Sequence, residues 1–285
     1  MKINTISPQD YKYLKGIETI ANHPKKLYLR GKLPPDRIPS VAIVGTRRPT
    51  SYGKEVTYKL ASDLASRGIV IVSGLALGVD GIAHRASLDA GGITIAVLAN
   101  GLDSIYPSTH VSLSRDILSK GGALISEYPP DTSARDFQFL ERNRIVSGLA
   151  DAVIITEAAS RSGTLSTAAH ALNQGKDIFV VPGNITSPLS AGCNALIKQG
   201  AQPLTCIDDA LSVVIPEGLA SQAALHFGAT PLENTIIEII KSGVRDGDEI
   251  QQKADVDASE FSTTLTMMEI NGIIRAIGGN QWTLI

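Results

Sequence analysis

Long hydrophobic runs, cysteines and metal-binding clusters are scarce in this chain of 285 residues. The longest apolar runs, such as residues 93–99, fall far below the roughly 18 residues of a membrane-spanning helix, so we expect no membrane segment. There are two cysteines, Cys193 and Cys206, and the start MKINTISPQDY lacks an apolar signal core, which predicts a cytoplasmic protein. The five scattered histidines have no zinc-type spacing, so we expect neither a metal nor a cofactor.

Two common nucleotide-binding fingerprints are missing as well. The phosphate loop of ATPases needs four residues between its first glycine and a Gly-Lys-Ser/Thr sequence, but seven residues separate Gly45 from Gly53, and Glu55 follows Lys54. The dinucleotide fingerprint GxGxxG fails because the glycines of the next turn are spaced GxxxGxxG. ATP hydrolysis therefore lacks its best support in the sequence.

Charge is unevenly distributed, although the net charge is only −2. Residues 1–40 hold eight Lys and Arg against three acids, residues 41–200 hold fourteen against thirteen, and residues 201–285 hold four against twelve. A polyanion should therefore meet the first 200 residues and be repelled by the last 85.

Short apolar strands alternate with helix-length segments from Val41 to about Ile215. The predicted strands are Val41–Val44, Ile69–Ser73, Ile93–Leu98, Ala123–Ser126, Ala152–Thr156 and Ile178–Val181. The predicted helices are Lys54–Arg67, Gly81–Ala90, Ser108–Lys120, Asp136–Leu149, Thr164–Gln174 and Asn194–Gln199. This regular alternation predicts an α/β fold with a doubly wound, mainly parallel sheet of the Rossmann type.

The remaining segments predict a four-part organisation. Residues 1–40, rich in proline, should form a lead-in of a short helical remnant and an extended strap before the αβ domain of residues 41–215. A linker is expected over 216–229 and a small domain over 230–285. Three helices closed by a hairpin at Gly278-Gly279-Asn280 predict that this last domain is a winged helix. Its acidic charge argues against a main DNA-binding role and favours protein docking or regulation.

Four turns are expected to meet at the carboxyl edge of the sheet, where such folds bind ligands. Gly45-Thr46-Arg47 follows the first strand, and its N–H groups and Arg47 suit a phosphate, although a glycine turn can also serve only the bend. Ser73-Gly74 suits an oxyanion or is a tight packing turn. Ser162-Gly163-Thr164 opens a helix as an anion site or as an ordinary cap. Of Arg142 and Arg144, which cannot share one helix face, one could bind phosphate while the other pairs with an acid.

Six segments resemble the motif series of the DNA-processing protein A (DprA/Smf) family, in the order and spacing of that family. They are VGTR at Val44–Arg47, VSGLALGVDGIAH at Val72–His84, TIAVLANGLDSIYP at Thr94–Pro107, RNRIVSGL at Arg142–Leu149, EAASRSGTLSTA at Glu157–Ala168 and PGN at Pro182–Asn184. The resemblance covers about residues 24 to 210.

The resemblance implies a bacterial single-stranded DNA-binding protein with an extended Rossmann domain, which protects incoming DNA in natural transformation and loads RecA recombinase. It implies a homodimer, and the candidates for its interface are the strand Ile178–Val181 and the stretch Asn194–Gln199. It implies no catalytic residue. The implied DNA-binding residues are Gly45, Thr46, Arg47, Ser73, Gly74, Arg142, Asn143, Ser162, Gly163 and Thr164. Supporting basic residues would be Arg48, Lys54, Arg85, Arg144 and Arg161.

Some positions depart from the family pattern. Leu140 stands where proline is usual, and His110 stands where asparagine is common. Basic residues that grip DNA in some members are replaced by Ser108-Thr109-His110, so affinity could be lower or shared with other basic residues.

Two other function classes stay open. The same Rossmann variant resembles nucleoside-monophosphate phosphoribohydrolases, but their catalytic glutamate position is occupied by Thr167. A pure protein-interaction scaffold would explain the acidic tail, but not the meeting of arginines with glycine turns.

Overall fold

The structure is a computed structural model that describes residues 2–214, 230–271 and 273–284. The chain forms two compact units, Met1–Ala220 and Ser221–Ile285. The linker expected over 216–229 lies outside the described residues.

The first unit is built on a nine-stranded sheet with the order β1-β2-β6-β5-β4-β3-β7-β8-β9. Its strands are β1 (Asn4–Ile6), β2 (Leu27–Gly31), β3 (Ser40–Val44), β4 (Val70–Ser73), β5 (Thr94–Leu98), β6 (Ala123–Ser126), β7 (Ala152–Ile155), β8 (Asp177–Val180) and β9 (Gln202–Pro203). Its described helices are α1 (Lys15–Glu18), α2 (Ser51–Ser66), α3 (Val79–Asp89), α4 (Val111–Ser119), α5 (Asp136–Leu149), α6 (Thr164–Asn173), α7 (Ala191–Lys198) and α8 (Ile207–Val214).

The strands from β3 to β9 pair in parallel, and β3 lies between β4 and β7. Successive strands are added on one side of β3 from β4 to β6 and on the other from β7 to β9, so the order of strands reverses beside β3. This reversal is the switch point at which open α/β sheets bind ligands. The six predicted strands and the doubly wound parallel sheet are confirmed, with strand ends within one residue of the prediction.

Helices cover both faces of the sheet, which explains why its strands are unbroken apolar runs. All residues of β3 and β5 are buried. One face packs against α5, α6 and the amino-terminal segment, where Tyr13, Leu14 and Ile17 are fully buried. The opposite face carries a second cluster that includes Leu88 of α3 and Ile117 of α4. Turns along the carboxyl edge therefore join the end of a strand to the amino-terminal end of a helix, where the helix dipole is positive.

The amino-terminal segment differs from the expected extended strap. The strands β1 and β2 pair antiparallel with each other, and β2 pairs antiparallel with β6, so both belong to the sheet. Tyr13 is fully buried, and its hydroxyl shares a hydrogen bond of 2.9 Å with the Ser40 hydroxyl at the start of β3. The first 40 residues are therefore part of the sheet and of its core.

The second unit contains α9 (Pro231–Lys241), α10 (Gly247–Ala254), α11 (Ala258–Ile270) and the hairpin of β10 (Ile274–Gly278) and β11 (Gln281–Leu284). Capping explains its helix starts: the Thr230, Asp246 and Asp257 side chains each accept N–H groups of the first turn. Its own core includes Ile236, Phe261 and Met268. The three predicted helices and the hairpin are confirmed, and the winged-helix assignment stays a prediction.

Candidate nucleic-acid interface

Two adjoining clefts lie along the carboxyl edge of the sheet, and Arg47 lines both. The switch-point cleft, about 510 Å³ in volume, is lined by Val44, Gly45, Thr46, Arg47, Ala76, Asp80, Asp136, Phe139, Leu140, Arg142, Asn143, Ala159, Arg161, Ser162, Gly163, Thr164 and Thr167. The basic cleft, about 600 Å³, is lined by Arg47, Arg48, Pro49, Lys54, Tyr58, Leu77, Gly78, Gly81, Ile82, Arg85 and His110. Eight of the ten predicted DNA-binding residues line the first cleft, and three of the supporting residues line the second.

The turn after β3 is held by the protein's own groups. The Thr46 N–H donates to the Glu157 carbonyl at 2.7 Å, and the Glu157 carboxylate accepts the Thr50 N–H and the Thr50 hydroxyl, both at 2.8 Å. Glu157 is buried, so a fixed carboxylate already occupies the start of α2. Glu157 therefore accepts the N–H groups that were expected to bind an anion at this turn. The Arg47 side chain is the group of this turn that can still bind one.

The turn after β4 is filled in the same way. The Asp80 Oδ2 atom accepts the N–H groups of Gly74 at 3.0 Å and Ala76 at 3.3 Å. The Ser73 hydroxyl is fully buried and donates to the Ile43 carbonyl at 2.7 Å. Ser73 and Gly74 do not line either cleft. Of the two alternatives for this turn, an oxyanion site and a packing turn, the structure shows the packing turn.

The two arginines of α5 have different partners. The Arg144 guanidinium pairs with the Glu127 carboxylate, with Nη2 at 2.5 Å and 2.6 Å from its two oxygens. Arg142 is 5% exposed, and its Nη1 donates to the carbonyls of Gly74 and Val97. Burial lowers the pKa of Arg142 to about 10, against the opposing effect of Asp80. Arg144 is therefore the arginine that pairs with an acid, while Arg142 forms the floor of the switch-point cleft.

The start of α6 is the most open anion site. Ser162 Oγ accepts the Thr164 N–H at 3.2 Å and donates to the Thr164 hydroxyl, while within the described part of the chain no partner is bonded to the N–H groups of Ser162 and Gly163. Asn143 fixes this turn from α5, because its side-chain amide donates to Ser166 Oγ at 2.9 Å. Two free N–H groups at a helix start, together with the helix dipole, suit a phosphate oxygen.

Arg47 lies at the junction of the two clefts. Its guanidinium is 5.1 Å from the centre of the Phe139 ring, and the Phe139 ring is 5.5 Å from that of Tyr106. Across residues 2–214, no carboxylate forms an ion pair with Arg47. A cation over an aromatic face is held in place without being neutralised, so its N–H groups stay available to an anion.

The basic cleft gathers cations from α2 and α3. Arg48 in the turn before α2 and Lys54 in the first turn of α2 are exposed, whereas Arg85 pairs with Asp116 at 2.8 Å. His110 stands at its wall, where Nδ1 lies 2.9 Å from the Leu75 carbonyl, and the ring fills the space over Gly81. This contact fixes the turn after β4 to the segment that leads into α4.

Sequence reasoning gave no binding role to three residues that shape this interface: Asp80, Phe139 and Glu157. Each stands within or beside a quoted motif, but the groups it binds are distant in sequence or depend on the path of the turn. Asp80, two residues into α3, offered one signal, because an acid in the first helical turn accepts nearby N–H groups. Burial raises the pKa of the Asp80 carboxyl, and the Arg142 charge opposes this rise.

A buried histidine lies below the interface. His84 on α3 is fully buried, and its Nδ1 lies 2.6 Å from the Thr94 hydroxyl. Burial lowers the pKa of His84 to about 3, so the ring is neutral in the folded protein.

In the described residues no group of three or more His, Cys, Asp and Glu side chains is arranged to hold a metal. No helix in the same part of the chain is long and apolar enough to cross a membrane.

A family model described as "DNA recombination-mediator protein A" matches residues 4–214. Protein Smf of Escherichia coli is 37% identical over 273 residues, which cover 90% of this chain and 71% of that protein. This alignment is too long to end at residue 214, so it reaches into the second unit.

Two solved structures are similar to this chain. The X-ray structure of DNA processing protein A from Streptococcus pneumoniae has a TM-score of 0.68 and 38% identity, and the match covers 74% of each chain. The structure of DNA processing protein A from Helicobacter pylori, whose description concerns its single-stranded DNA binding mode, has a TM-score of 0.66 and 36% identity. That match covers 79% of this chain and 98% of the other.

Proposed function

Since this chain belongs to the DNA recombination-mediator protein A family, we propose that it binds single-stranded DNA in its two clefts during DNA uptake and recombination. The observation that carries the proposal is the open start of α6, where Ser162 and Gly163 line the same cleft as Arg47 and, within the described residues, have no partner for their N–H groups. The protein acts here as a binding protein rather than as an enzyme. We also propose that it works in the cytoplasm.

In this proposal a phosphate of the strand accepts the free N–H groups at the start of α6, and Arg47 binds it or its neighbour. Arg161 adds a charge at the rim, and the strand continues past Arg47 toward Arg48 and Lys54. The face of Tyr106, half exposed beside Phe139, offers a surface for stacking a base. Ser73 and Gly74 act indirectly, because their turn supports Arg142.

The geometry favours a single strand over a duplex. The anion site lies inside a cleft, between α5 and the start of α6, and a flexible strand can direct one phosphate into it. A duplex holds its phosphates at a fixed pitch along a rigid rod, so few of them could reach the cleft. The bases of a single strand are also free to stack on aromatic faces.

The phosphoribohydrolase alternative is not favoured. Thr167, which stands at the position of the catalytic glutamate, is 2% exposed and lines the switch-point cleft without a carboxylate. Asp80, a carboxylate in the floor of this cleft, is held by two N–H groups. Release of free adenine on incubation with AMP would contradict the binding-protein proposal.

We further propose that two copies associate through the surface of the first unit formed by α6 and α7 beside β8. An apolar groove of about 480 Å³ lies there, lined by side chains of α6 and α7 that include Leu165 and Leu196, and Leu172 at its rim is 71% exposed. A dimer would let one strand engage two pockets and gain avidity. Loading of RecA recombinase onto the bound strand is proposed on the family resemblance.

The second unit is proposed to be a winged helix that does not provide the main DNA grip. Its third helix, α11, contains Glu260 and Glu269 but no lysine or arginine. A helix without a cation has no electrostatic advantage at a phosphate backbone. Protein docking or regulation is the proposed role of this unit.

A gel shift that compares single-stranded with duplex DNA tests the proposed function, using the wild type and Arg47→Ala. We expect the wild type to shift single strands at lower protein concentration than duplexes. Binding should also weaken as salt is raised, because the arginines and lysines of the protein release counterions from the DNA, and this release is less favourable at high salt. Equal affinity for both forms, or affinity that does not depend on salt, would contradict it.

A further inference from the structure

Five charged side chains line the switch-point cleft, and their balance sets the phosphate that the cleft can hold. Arg47, Arg142 and Arg161 supply three positive charges, and Asp80 and Asp136 supply two negative charges. One positive charge therefore remains unbalanced among the side chains that line the cleft. Such a site matches an anion of one negative charge better than an anion of two.

Two kinds of phosphate differ in this respect. A phosphodiester inside a strand carries one negative charge, whereas a phosphomonoester, at a strand end or in a free nucleotide, carries about −1.5 to −2 at pH 7. We propose that Asp80 and Asp136 make the cleft selective for interior phosphodiesters over terminal phosphates and free nucleotides. This inference rests on the proposed single-stranded DNA binding.

Asp80 is a permanent part of the floor. Its Oδ2 atom is fixed by the N–H groups of Gly74 and Ala76, and the residue is 6% exposed. The carboxylate cannot turn away from an incoming ligand, and little water is present to screen it. Although burial raises the pKa of Asp80, the Arg142 charge and the two N–H groups favour its ionised form. An anion that enters the cleft then meets the negative charge of Asp80 together with the positive charge of Arg142.

Asp136 supplies the second negative charge from the rim. It is the first residue of α5, it is exposed, and it makes no hydrogen bond or ion pair that would neutralise it within the described ranges. Because Phe139 and Arg142 follow on the same helix, the backbone of Asp136 is held at the rim of the cleft, one turn before Phe139. Its replacement leaves the buried contacts of the cleft in place.

The test uses a short single-stranded oligonucleotide with either a 5′-hydroxyl or a 5′-phosphate, and AMP as a competitor. Fluorescence anisotropy would measure binding to the wild type, Asp80→Asn and Asp136→Asn. Asp131→Asn serves as the matched control, since Asp131 is an exposed acid outside both clefts. Asp136→Asn keeps the test valid if Asp80→Asn fails to fold.

We expect the wild type and Asp131→Asn to bind both oligonucleotides within twofold and to resist millimolar AMP. Asp80→Asn and Asp136→Asn should bind the 5′-phosphate form at least threefold tighter than the hydroxyl form and should be inhibited by AMP. The inference is overturned if AMP displaces DNA equally from wild type and variants. It is also overturned if the variants bind both oligonucleotides more tightly by the same factor. Failure of the wild type to bind either oligonucleotide would instead overturn the proposed function.

Discussion

Arg47 and Phe139 form a cation–π pair across the junction of the two clefts, with the guanidinium 5.1 Å from the ring centre. Arg47 comes from the turn after β3, and Phe139 comes from the first turn of α5, so the pair connects two elements that are far apart in sequence. The aromatic face limits the positions of the arginine without cancelling its charge. Because Arg47 lines both clefts, its replacement should weaken DNA binding in both.

Replacement of Arg47 by alanine should weaken single-stranded DNA binding by about 1.5–3 kcal/mol, the usual contribution of a charge-assisted hydrogen bond. Fluorescence anisotropy at physiological salt would measure this loss. Arg115→Ala is the control, because Arg115 is an exposed arginine outside both clefts and should bind like the wild type. Unchanged affinity of Arg47→Ala would remove Arg47 from the site.

Gly74→Ala should destabilise the fold and weaken DNA binding together. A Cβ atom on Gly74 would collide with the Arg142 guanidinium, which would have to leave the Gly74 and Val97 carbonyls. An unpaired buried group costs about 1–3 kcal/mol, and a charged one more. Urea unfolding would measure the loss. Gly175→Ala, at a glycine with open space around it but a left-handed backbone, shows what backbone strain alone contributes; an equal loss in both variants would refute the collision.

Acid should destabilise the protein through His84. The folded pKa is about 3, below the unfolded value of about 6.5, so the unfolded chain binds a proton first as pH falls. The contribution of His84 to stability is therefore complete above pH 6.5 and is lost between pH 6.5 and 3, at up to about 1.4 kcal/mol per pH unit.

Urea unfolding at pH 7.5 and pH 5.0 would measure this loss. Between these values the wild type should lose about 2 kcal/mol more stability than His84→Gln, which has no ring to protonate. His23→Gln, at an exposed histidine, should follow the wild type. Equal pH dependence of wild type and His84→Gln would show that His84 does not cause the acid sensitivity.

Leu172→Glu should convert a dimer to monomers and reduce the avidity for long single strands. The side chain is 71% exposed at the rim of the apolar groove between α6 and α7, where a carboxylate would be desolvated by a second copy. Light scattering would give the oligomeric state at micromolar concentration. Ile185→Glu alters an isoleucine that is 91% exposed outside the groove, and it should remain dimeric.

Removal of the chain after Ile215 should leave single-strand affinity within a few-fold of the full-length value. The first unit has its own sheet and core, and the described end of the chain carries mainly acids. A folded, dimeric truncation that loses a hundredfold in affinity, about 2.7 kcal/mol, would place the main DNA grip on the second unit.

Much of the sheet could be predicted because its central strands are buried on both faces. Val41-Ala42-Ile43-Val44 is one such apolar run, and its helix neighbours follow at regular intervals. The strands β1 and β2 could not be predicted in this way, because β2 has the pattern Leu-Tyr-Leu-Arg-Gly and pairs with β6, which lies more than ninety residues later in the chain. Such antiparallel additions depend on long-range pairing that local pattern does not encode.

The positions of the site residues were easier to predict than their state of bonding. The turn at Gly45-Thr46-Arg47 and the start of α6 do meet at the switch point, as their places after β3 and β7 require. The sequence does not predict that the carboxylates of Asp80 and Glu157 occupy two of the expected anion sites. Their occupation depends on the three-dimensional positions of the carboxylate oxygens relative to the backbone N–H groups. Local sequence gives the kind of turn and leaves its occupant open.

The outer strands of the sheet have a consequence for crowding on DNA. The strand β1 has three residues, β9 has two, and one of the two is Pro203, which has no N–H to donate. Short or proline-containing edges offer few groups to another sheet, which limits aggregation by strand pairing. We therefore expect that copies bound side by side on one DNA strand would not join through these edges of the sheet.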